Sequence, residues 1–558
     1  MTAAAPARPA LLERALACHI PLTAEVVLYA LVFAAAVLLR TWDLGARALH
    51  HDESIHAQWS WGLLQGNYRH SPIFHGPFYY HVQAAVFFIF GANDYTSRLS
   101  AAVAGTALVA LPLLLRRRLG PVGTFAAVAL IAFSPTLVYF SRFFREDIYM
   151  AAFTLLMVAA MWRYIDEGRV RWLYVFAAGF TGNVLTKEGS FLVFAVMLVY
   201  LDLYLAALLA KRTLEGRTER FAREDLARLA ALDLSPPERA ALEDRIRSTA
   251  RLDTPFRRFA LTIAFAPYAW LLAAFWPFIG ALRRRLDWAD DLPRPGEVLL
   301  LLGTFCLPLL TPVARVTLLE PLGILEKDRL SWEKSLQGPI DVRDRIALVG
   351  LFTVTTSLAA FAGLQWRPKV WGIAFALSAL VYLTLMTSLW TNLHGLVSGP
   401  WGSLDYWYSQ QDAHRGEQPW FYYHLLMFAY EFLPLALVLL GGWWAVVRGD
   451  AFSRFLAAWL VGIWLALSWG AEKMPWLNTH IALPACLLAA WSIQRAWDAW
   501  RERPPVSARL LVTLAAAALV GFGALLVIAY LPGGAAMQAA RLGIVAAAAA
   551  AVASLARP

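Results

Sequence analysis

The residues best placed to do chemistry begin with His50-His51-Asp52-Glu53-Ser54-Ile55-His56. A carboxylate set near a membrane surface is readily tuned for proton abstraction, so Asp52 reads as a general base, with Glu53 beside it. Two other readings stay open. Asp52 could cap a short helix, or Asp52 and His56 could hold a divalent metal together with distant histidines. A zinc-hydrolase arrangement is excluded by spacing, because no His-Glu-x-x-His occurs in the chain. A second cluster, Ser141-Arg142-Phe143-Phe144-Arg145-Glu146-Asp147, sits between two apolar runs. Lys187-Glu188 interrupts another apolar stretch, and Glu431 and Glu472-Lys473-Met474-Pro475-Trp476 follow later. Each could be an ion-pair turn or a snorkelling lysine at a helix end. Taken together, Arg142, Arg145, Lys187 and Lys473 around carboxylates would suit a phosphate leaving group beside a base.

The elements that must position these groups are membrane helices. The chain has 558 residues, of which 59% are hydrophobic and 16% charged, with mean hydropathy +0.53. That exceeds what soluble domains carry, and disorder is excluded because aromatics reach 13% with 24 Trp. The three cysteines, Cys18, Cys306 and Cys486, lie in or beside apolar runs and offer neither a disulfide framework nor a zinc site. The net charge of +10 does not point to nucleic acid, since the arginines flank apolar segments as the positive-inside rule expects. The only lysines are Lys187, Lys211, Lys327, Lys334, Lys369 and Lys473. A lysine inside an apolar stretch is conspicuous in such a chain.

Apolar runs predict an all-α polytopic membrane protein with about 13–15 segments. They cover roughly 22–40, 96–115, 121–140, 147–164, 171–186, 190–210, 298–313, 345–364, 370–390, 421–447, 453–470, 478–495, 509–531 and 538–556. Arg116-Arg117-Arg118 marks a cytoplasmic end, and the Arg/Glu-rich stretch 211–258 is a cytoplasmic loop by charge. Residues 261–280 are apolar although both flanks ask to be cytoplasmic, so either a tight hairpin or an interfacial helix is expected there. On this topology every histidine except His19 faces outward. So do the charge clusters above, which predicts a shared hydrated cavity on the extracytoplasmic side. Two surface-lying helices are expected between about residues 52 and 90.

Several of these residues resemble the membrane-embedded, C-type glycosyltransferases in their protein O-mannosyltransferase and aminoarabinose-transferase branches. Asp52-Glu53 with His56 is similar to the first-loop Asp-Glu motif of that family. His75-Gly76-Pro77-Phe78-Tyr79-Tyr80 resembles the later His/Lys-Pro-Pro-Leu segment, with Gly76 where the family has proline. Arg98 resembles the arginine opening the second helix, Ser141-Arg142-Phe143 with Asp147 the second-loop pattern, and Lys187 the lysine opening a later helix. The resemblance covers residues 1–210. The C-terminal half is similar to prokaryotic proteins labelled flippase-activity-associated, through Thr391-Asn392, Tyr406-Trp407, residues 415–420, Tyr422-Tyr423, Tyr430-Glu431 and residues 472–476 with His480.

The resemblance implies three blocks: a transferase module at 1–210 with its first loop at 41–95, the basic loop 211–258, and a C-terminal module at 259–558 with an outer loop at 391–420. It implies an enzyme of the plasma membrane of a prokaryote that transfers a sugar, with inversion, from a polyprenyl-phosphate-linked donor. The acceptor would be a hydroxyl on a protein, glycan or lipid, and no cofactor would be obligatory. Asp52, Glu53 and Asp147 are then the expected catalytic carboxylates. Arg142, Lys187, Arg145 and Lys473 are the expected phosphate ligands, with Arg142 and Lys187 meeting at the phosphate. His56, His75, Tyr79, Trp407, Trp420, Glu431 and His480 are expected to contact acceptor or sugar. The rival classes are a flippase for lipid-linked saccharides and a non-catalytic accessory subunit. The first is disfavoured by the lack of an internal repeat, the second by the presence of Asp52, Arg142, Asp147 and Lys187 together.

Overall fold

The computed structural model describes residues 23–502 apart from 69, 72–74, 231–234, 250–252, 315–316, 319–320, 324–341, 394 and 400–416. Among the described residues the secondary structure is helical, with no strand. Eight described helices are long and apolar enough to cross a membrane, or nine if one bent pair counts as a span. Several expected segments account for the shortfall from 13–15. The runs at 509–531 and 538–556 lie outside the described residues. Those at 171–186 and 298–313 become helices of only 14 and 16 residues, and the runs at 96–115 and 121–140 fall largely in one 40-residue helical stretch, Asp94–Phe133, that doubles back at Gly120.

The first span, α1 (Ala24–Thr41), is opened by Thr23, whose side chain accepts from the Val26 N–H. Two shorter helices follow, α2 (His51–Leu64) and α3 (Phe78–Phe90), packed on one another as the pair expected in this region. Helix α4 (Asp94–Ala110) starts at a capping box between Asn93 and Thr96. It runs through a 3-10 stretch into α5 (Arg116–Phe133), which breaks where Gly120 takes φ 75°. The chain reverses there. Arg116 pairs with Glu25 at the start of α1, while Arg40 near the end of α1 donates to the carbonyls of Ile131 and Ala132, at 3.0 Å each, near the end of α5. The short α6 (Pro135–Ser141) packs closely on α4: a Cβ on Gly105 would lie 2.0 Å from the Ser141 hydroxyl.

Helix α7 (Asp147–Glu167) has 21 residues and is therefore about 30 Å long, the thickness of a bilayer core. It ends at Gly168, in the left-handed region at φ 69°. Helix α8 (Arg171–Val184) returns, and α9 (Ser190–Ala230) runs back over 41 residues, well past the apolar run that ends near 210. Because α7 is bilayer-long, the two ends of the bundle are distinct. Asp147 lies with Lys187 and His480 at one end, and Asp166 lies with Arg118 at the other. The expected separation of the Asp52 loop from Arg116–Arg118 is what the structure has.

The ambiguous segment 261–280 is a broken hairpin. Its pieces are Pro255–Phe265, the 3-10 turn Ala266–Tyr268, Ala269–Ala274 and Gly280–Arg285. Trp288 Nε1 donates to Thr213 Oγ1 at 2.8 Å, and the Trp270 N–H donates to Asp202 at 2.9 Å. The hairpin thus climbs about 16 Å along α9 and returns to the same end, which satisfies both arginine flanks. Residues through Ser492 form one compact unit. In the second, the end of helix Thr479–Glu502 carries a Gln494–Asp498 hydrogen bond and a Trp497–Trp500 ring contact.

Candidate active site

Three chain breaks, at the α2 start, the α6–α7 turn and the α8–α9 turn, supply the charged groups at one end of the bundle. At the first, His50 is the N-cap of α2: its Nδ1 accepts the Asp52 N–H at 3.2 Å, while Glu53 accepts the His50 N–H at 2.9 Å. The capping job falls to His50 and Glu53. Asp52 does not perform it, and its side chain, 25% exposed, instead pairs with Arg145.

Glu53 is wholly buried and fully committed. Arg98 donates to both of its oxygens at 2.7 Å, and the Phe144 N–H adds 2.9 Å. Burial alone would raise its carboxyl, but Arg98 and these backbone donors hold it below the ordinary value. Arg98 also donates to the carbonyls of Leu44, Arg47 and Ala48. Glu53 and Arg98 therefore pin the first loop and the α6–α7 turn to α4, and the geometry makes Glu53 an anchor for Asp52.

In the α6–α7 turn, Phe144 is buried and carries Arg145 and Glu146 inward. Arg145 donates to Glu146 at 2.9 Å, lies 3.7 Å from Asp147, and places its guanidinium 3.7 Å from the centre of the Trp476 ring. Lys187 Nζ donates to Glu146 at 2.9 Å and to Asp147 at 2.8 Å. His480 Nε2 meets the same Asp147 oxygen at 3.0 Å. Burial would lower the pKa values of Arg145 and Lys187, yet the surrounding carboxylates hold both above their ordinary values. Burial opposes ionised Glu146 as well, but Arg145, His75 and Lys187 keep its carboxyl well below the usual range.

His75 arrives from the first loop. The Gly76 N–H donates to Thr186 O at 3.1 Å and the Phe78 N–H to Leu185 O at 2.9 Å, stitching this segment to the α8–α9 turn. Gly76 departs from the family's proline because it must donate, and because a Cβ there would lie 2.1 Å from Leu185 O. His75 itself sits at φ 66°. It bonds Glu188 at 2.8 Å and lies 3.2 Å from Glu146. Burial would lower its pKa, but these two carboxylates raise it. His56, by contrast, is dominated by burial and falls to about 3, so it is neutral at ordinary pH. Its Nδ1 meets the Tyr80 and Tyr79 hydroxyls at 2.9 and 3.0 Å.

The remaining expected residues lie apart from this cluster. Arg142 does not meet Lys187. Its side chain donates to the carbonyls of Leu39 at 2.9 Å and Asp43 at 3.3 Å, because the turn after α6 points it toward the end of α1. Arg145 stands where Arg142 was expected. Glu431 accepts from Ser134 at 2.6 Å and the Thr136 N–H at 3.0 Å, securing the start of α6. It also marks the 104° bend between helices Tyr422–Tyr430 and Phe432–Val447. Lys473 donates to Gly470 O at 2.7 Å, and Trp420 is exposed against Phe421 and His424. Trp407 lies outside the described residues.

Glu146, Glu188 and Tyr80 were not among the expected site residues. The signal for Glu146 was its place in the unbroken triplet Arg145-Glu146-Asp147 between two apolar runs. Several buried polar atoms in the cluster have no hydrogen-bond partner: Arg145 Nε, Glu146 Oε2, Asp147 Oδ2 and His56 Nε2. Among the described residues no three His, Cys, Asp or Glu side chains are arranged to hold a metal ion. What the cluster offers chemically is a carboxylate reached from solvent beside two buried, permanently charged cations.

Residues 74–215 match the family model described as dolichyl-phosphate-mannose-protein mannosyltransferase. No curated protein matches the chain. Among solved structures, ArnT from Cupriavidus metallidurans aligns with 96% of this chain and 72% of its own, at 14% identity and TM-score 0.42. The same figures hold for its complex with undecaprenyl phosphate. The oligosaccharyltransferase of Archaeoglobus fulgidus aligns with 86% of this chain at 13% identity and TM-score 0.41, and this chain spans 51% of its length. Over residues 74–215, which carry Arg145, Glu146, Asp147 and Lys187, this helical multi-span chain is similar to the membrane-embedded C-type glycosyltransferases of the dolichyl-phosphate-mannose type.

Proposed function

We propose that this chain is a glycosyltransferase that moves a sugar from a polyprenyl-phosphate-linked donor to an acceptor hydroxyl, with inversion, at the extracytoplasmic face of a prokaryotic plasma membrane. The observation that carries the reading is the pairing of Asp52 with Arg145, which reaches Glu146 and Asp147 together with Lys187. The acceptor oxygen attacks the anomeric carbon as its proton passes to Asp52. The bond from that carbon to the phosphate oxygen breaks, and the electron pair leaves on the lipid phosphate. Lys187 and Arg145 neutralise the charge that develops there. An entering phosphate must compete with Glu146 and Asp147 for both cations. By turning one N–H from Asp52 to the phosphate, Arg145 frees the base only when donor is present.

An apolar cavity of about 270 Å³, lined by Phe180, Thr181, Val184, Phe305 and Tyr382 among others, borders the last turns of α8 just before Lys187. It suits the polyprenyl chain. The arginines support this orientation: Arg116–Arg118 and the polar half of α9 lie at the end opposite Asp52. The reaction needs no resident metal on this reading, because Lys187 and Arg145 already supply the positive charge.

The test is purified protein in liposomes with a panel of polyprenyl-phosphate hexoses, with and without EDTA. Cleavage of the sugar–phosphate bond that survives chelation is expected. Intact donor crossing the bilayer without cleavage would contradict the reading in favour of a flippase. Loss of cleavage in EDTA, restored by a divalent ion, would make Asp52 and His56 metal ligands instead.

A further inference from the structure

A cavity of about 450 Å³, within the usual range for small-molecule sites, lies beside Asp52. Aromatic side chains dominate its wall, chiefly Tyr139, Phe143, Tyr430 and Trp476, and Asn478 and His50 complete it. Two of its lining residues also touch the charged cluster. His50 accepts the Asp52 N–H, and the Trp476 ring carries the Arg145 guanidinium that pairs with Asp52.

Two residues of this wall each carry a buried polar atom with no partner. Asn478 donates from Nδ2 to Thr136 at 3.1 Å, but its Oδ1 accepts nothing, and the Trp476 Nε1 donates to nothing. An unpaired buried polar atom is unfavourable, so an occupant toward which both side chains can turn these atoms is favoured. A lipid chain answers neither. An anionic headgroup finds no lysine or arginine among the lining residues. A pyranose ring answers both, since one hydroxyl can donate to Asn478 Oδ1 while another accepts from Trp476 Nε1. Its C–H face packs on the aromatic rings.

We infer that this cavity is the acceptor site and that the acceptor is a neutral sugar residue. The inference rests on the transferase reading and names its acceptor class. One free hydroxyl of that sugar gives its proton to Asp52, and its oxygen forms the new bond to the donor's anomeric carbon. The lipid phosphate departs with the electrons of the bond that breaks.

The experiment is binding of the full-length purified protein to an array of neutral oligosaccharides, Ser/Thr peptides and phosphatidylglycerol vesicles. Dolichyl phosphate binding is measured in parallel. Saturable retention by neutral glycans is expected. It should weaken by about tenfold in Asn478→Ala, the equivalent of one hydrogen bond, with dolichyl phosphate binding unchanged. Tyr430→Leu provides a second variant at a half-exposed position, where folding is not at stake, and should weaken glycan retention similarly. Retention by peptides or vesicles alone, or by no glycan, overturns the inference. If dolichyl phosphate still binds in that case, only the acceptor class falls. If it does not, the transferase reading falls too.

Discussion

Helix α7 carries ion pairs at both ends, and they differ in kind. At the end near Asp166, Arg118 bridges Asp166 and Asp450 with its side chain 24% exposed, and Arg163 pairs with Glu167 one turn away. These are half-wet pairs of the sort that decorate any membrane helix, worth about 0–1 kcal/mol each. At the other end, Asp147, Glu146, Lys187, Arg145 and His480 are nearly or wholly buried and share partners, and two of their contacts, Arg145 Nε to Asp147 Oδ2 at 3.7 Å and His56 Nε2 to Glu146 Oε2 at 3.8 Å, are longer than hydrogen bonds. A chain selected only for stability would have no use for so many buried charges, since desolvating them costs several kcal/mol each. The contrast separates charges that hold the bundle in the membrane from charges kept for chemistry.

That contrast can be broken by mutation. The largest effect should come from Arg98→Ala, which strands buried Glu53 and should cost about 3–5 kcal/mol of stability. Arg118→Ala at the other end should cost no more than about 1 kcal/mol. Thermal unfolding in detergent measures both, and equal losses would erase the distinction. Next in size, Lys187→Met should weaken polyprenyl-phosphate binding by about 1.5–3 kcal/mol. Arg142→Ala should leave it unchanged, because that guanidinium is spent on the carbonyls of Leu39 and Asp43. Equal losses in the two variants, measured on folded protein, would return Arg142 to the phosphate.

A smaller effect sharpens the same picture through pH. His56 has a folded pKa of about 3 against 6.5 unfolded, so the unfolded chain gains a proton first and stability falls as pH drops below about 6.5. Glu146, held below its ordinary 4.5, adds a further loss below that value. His75 is raised above 6.5, so its contribution is complete below 6.5 and lost as pH rises through the folded value. Stability should therefore peak near pH 6.5, and His75→Gln should flatten the alkaline side while leaving the acid side. A wild-type profile that rises steadily from pH 6 to 8 would show that His75 is not charged in the fold.

Much of this arrangement was legible in the residue order, and the exceptions have physical causes. Asp52, Arg145, Asp147 and Lys187 stand out because charges interrupting apolar runs must collect where water or partners are found. The conflict of flanks around 261–280 left a hairpin and an interfacial helix both open, and the structure has the hairpin. What the order could not reveal was side-chain direction across long separations. Glu53 looked like a second reacting carboxylate until Arg98 was found to occupy both of its oxygens. Glu431 looked available to a sugar, yet it secures the start of α6. Arg142 and Arg145 are equivalent in a linear reading, and only the turn held by Phe144 decides which one faces Lys187.

The central claim is that Asp52 takes the acceptor's proton. It is tested most directly by Asp52→Asn, assayed for transfer from a purified polyprenyl-phosphate sugar with donor binding measured alongside. Asn preserves size and most hydrogen bonding but cannot accept the proton. A positioned base contributes about 10²–10⁴-fold, so turnover should fall by that order while donor affinity barely changes. Transfer near the wild-type rate would contradict the account and leave Asp52 as no more than Arg145's partner.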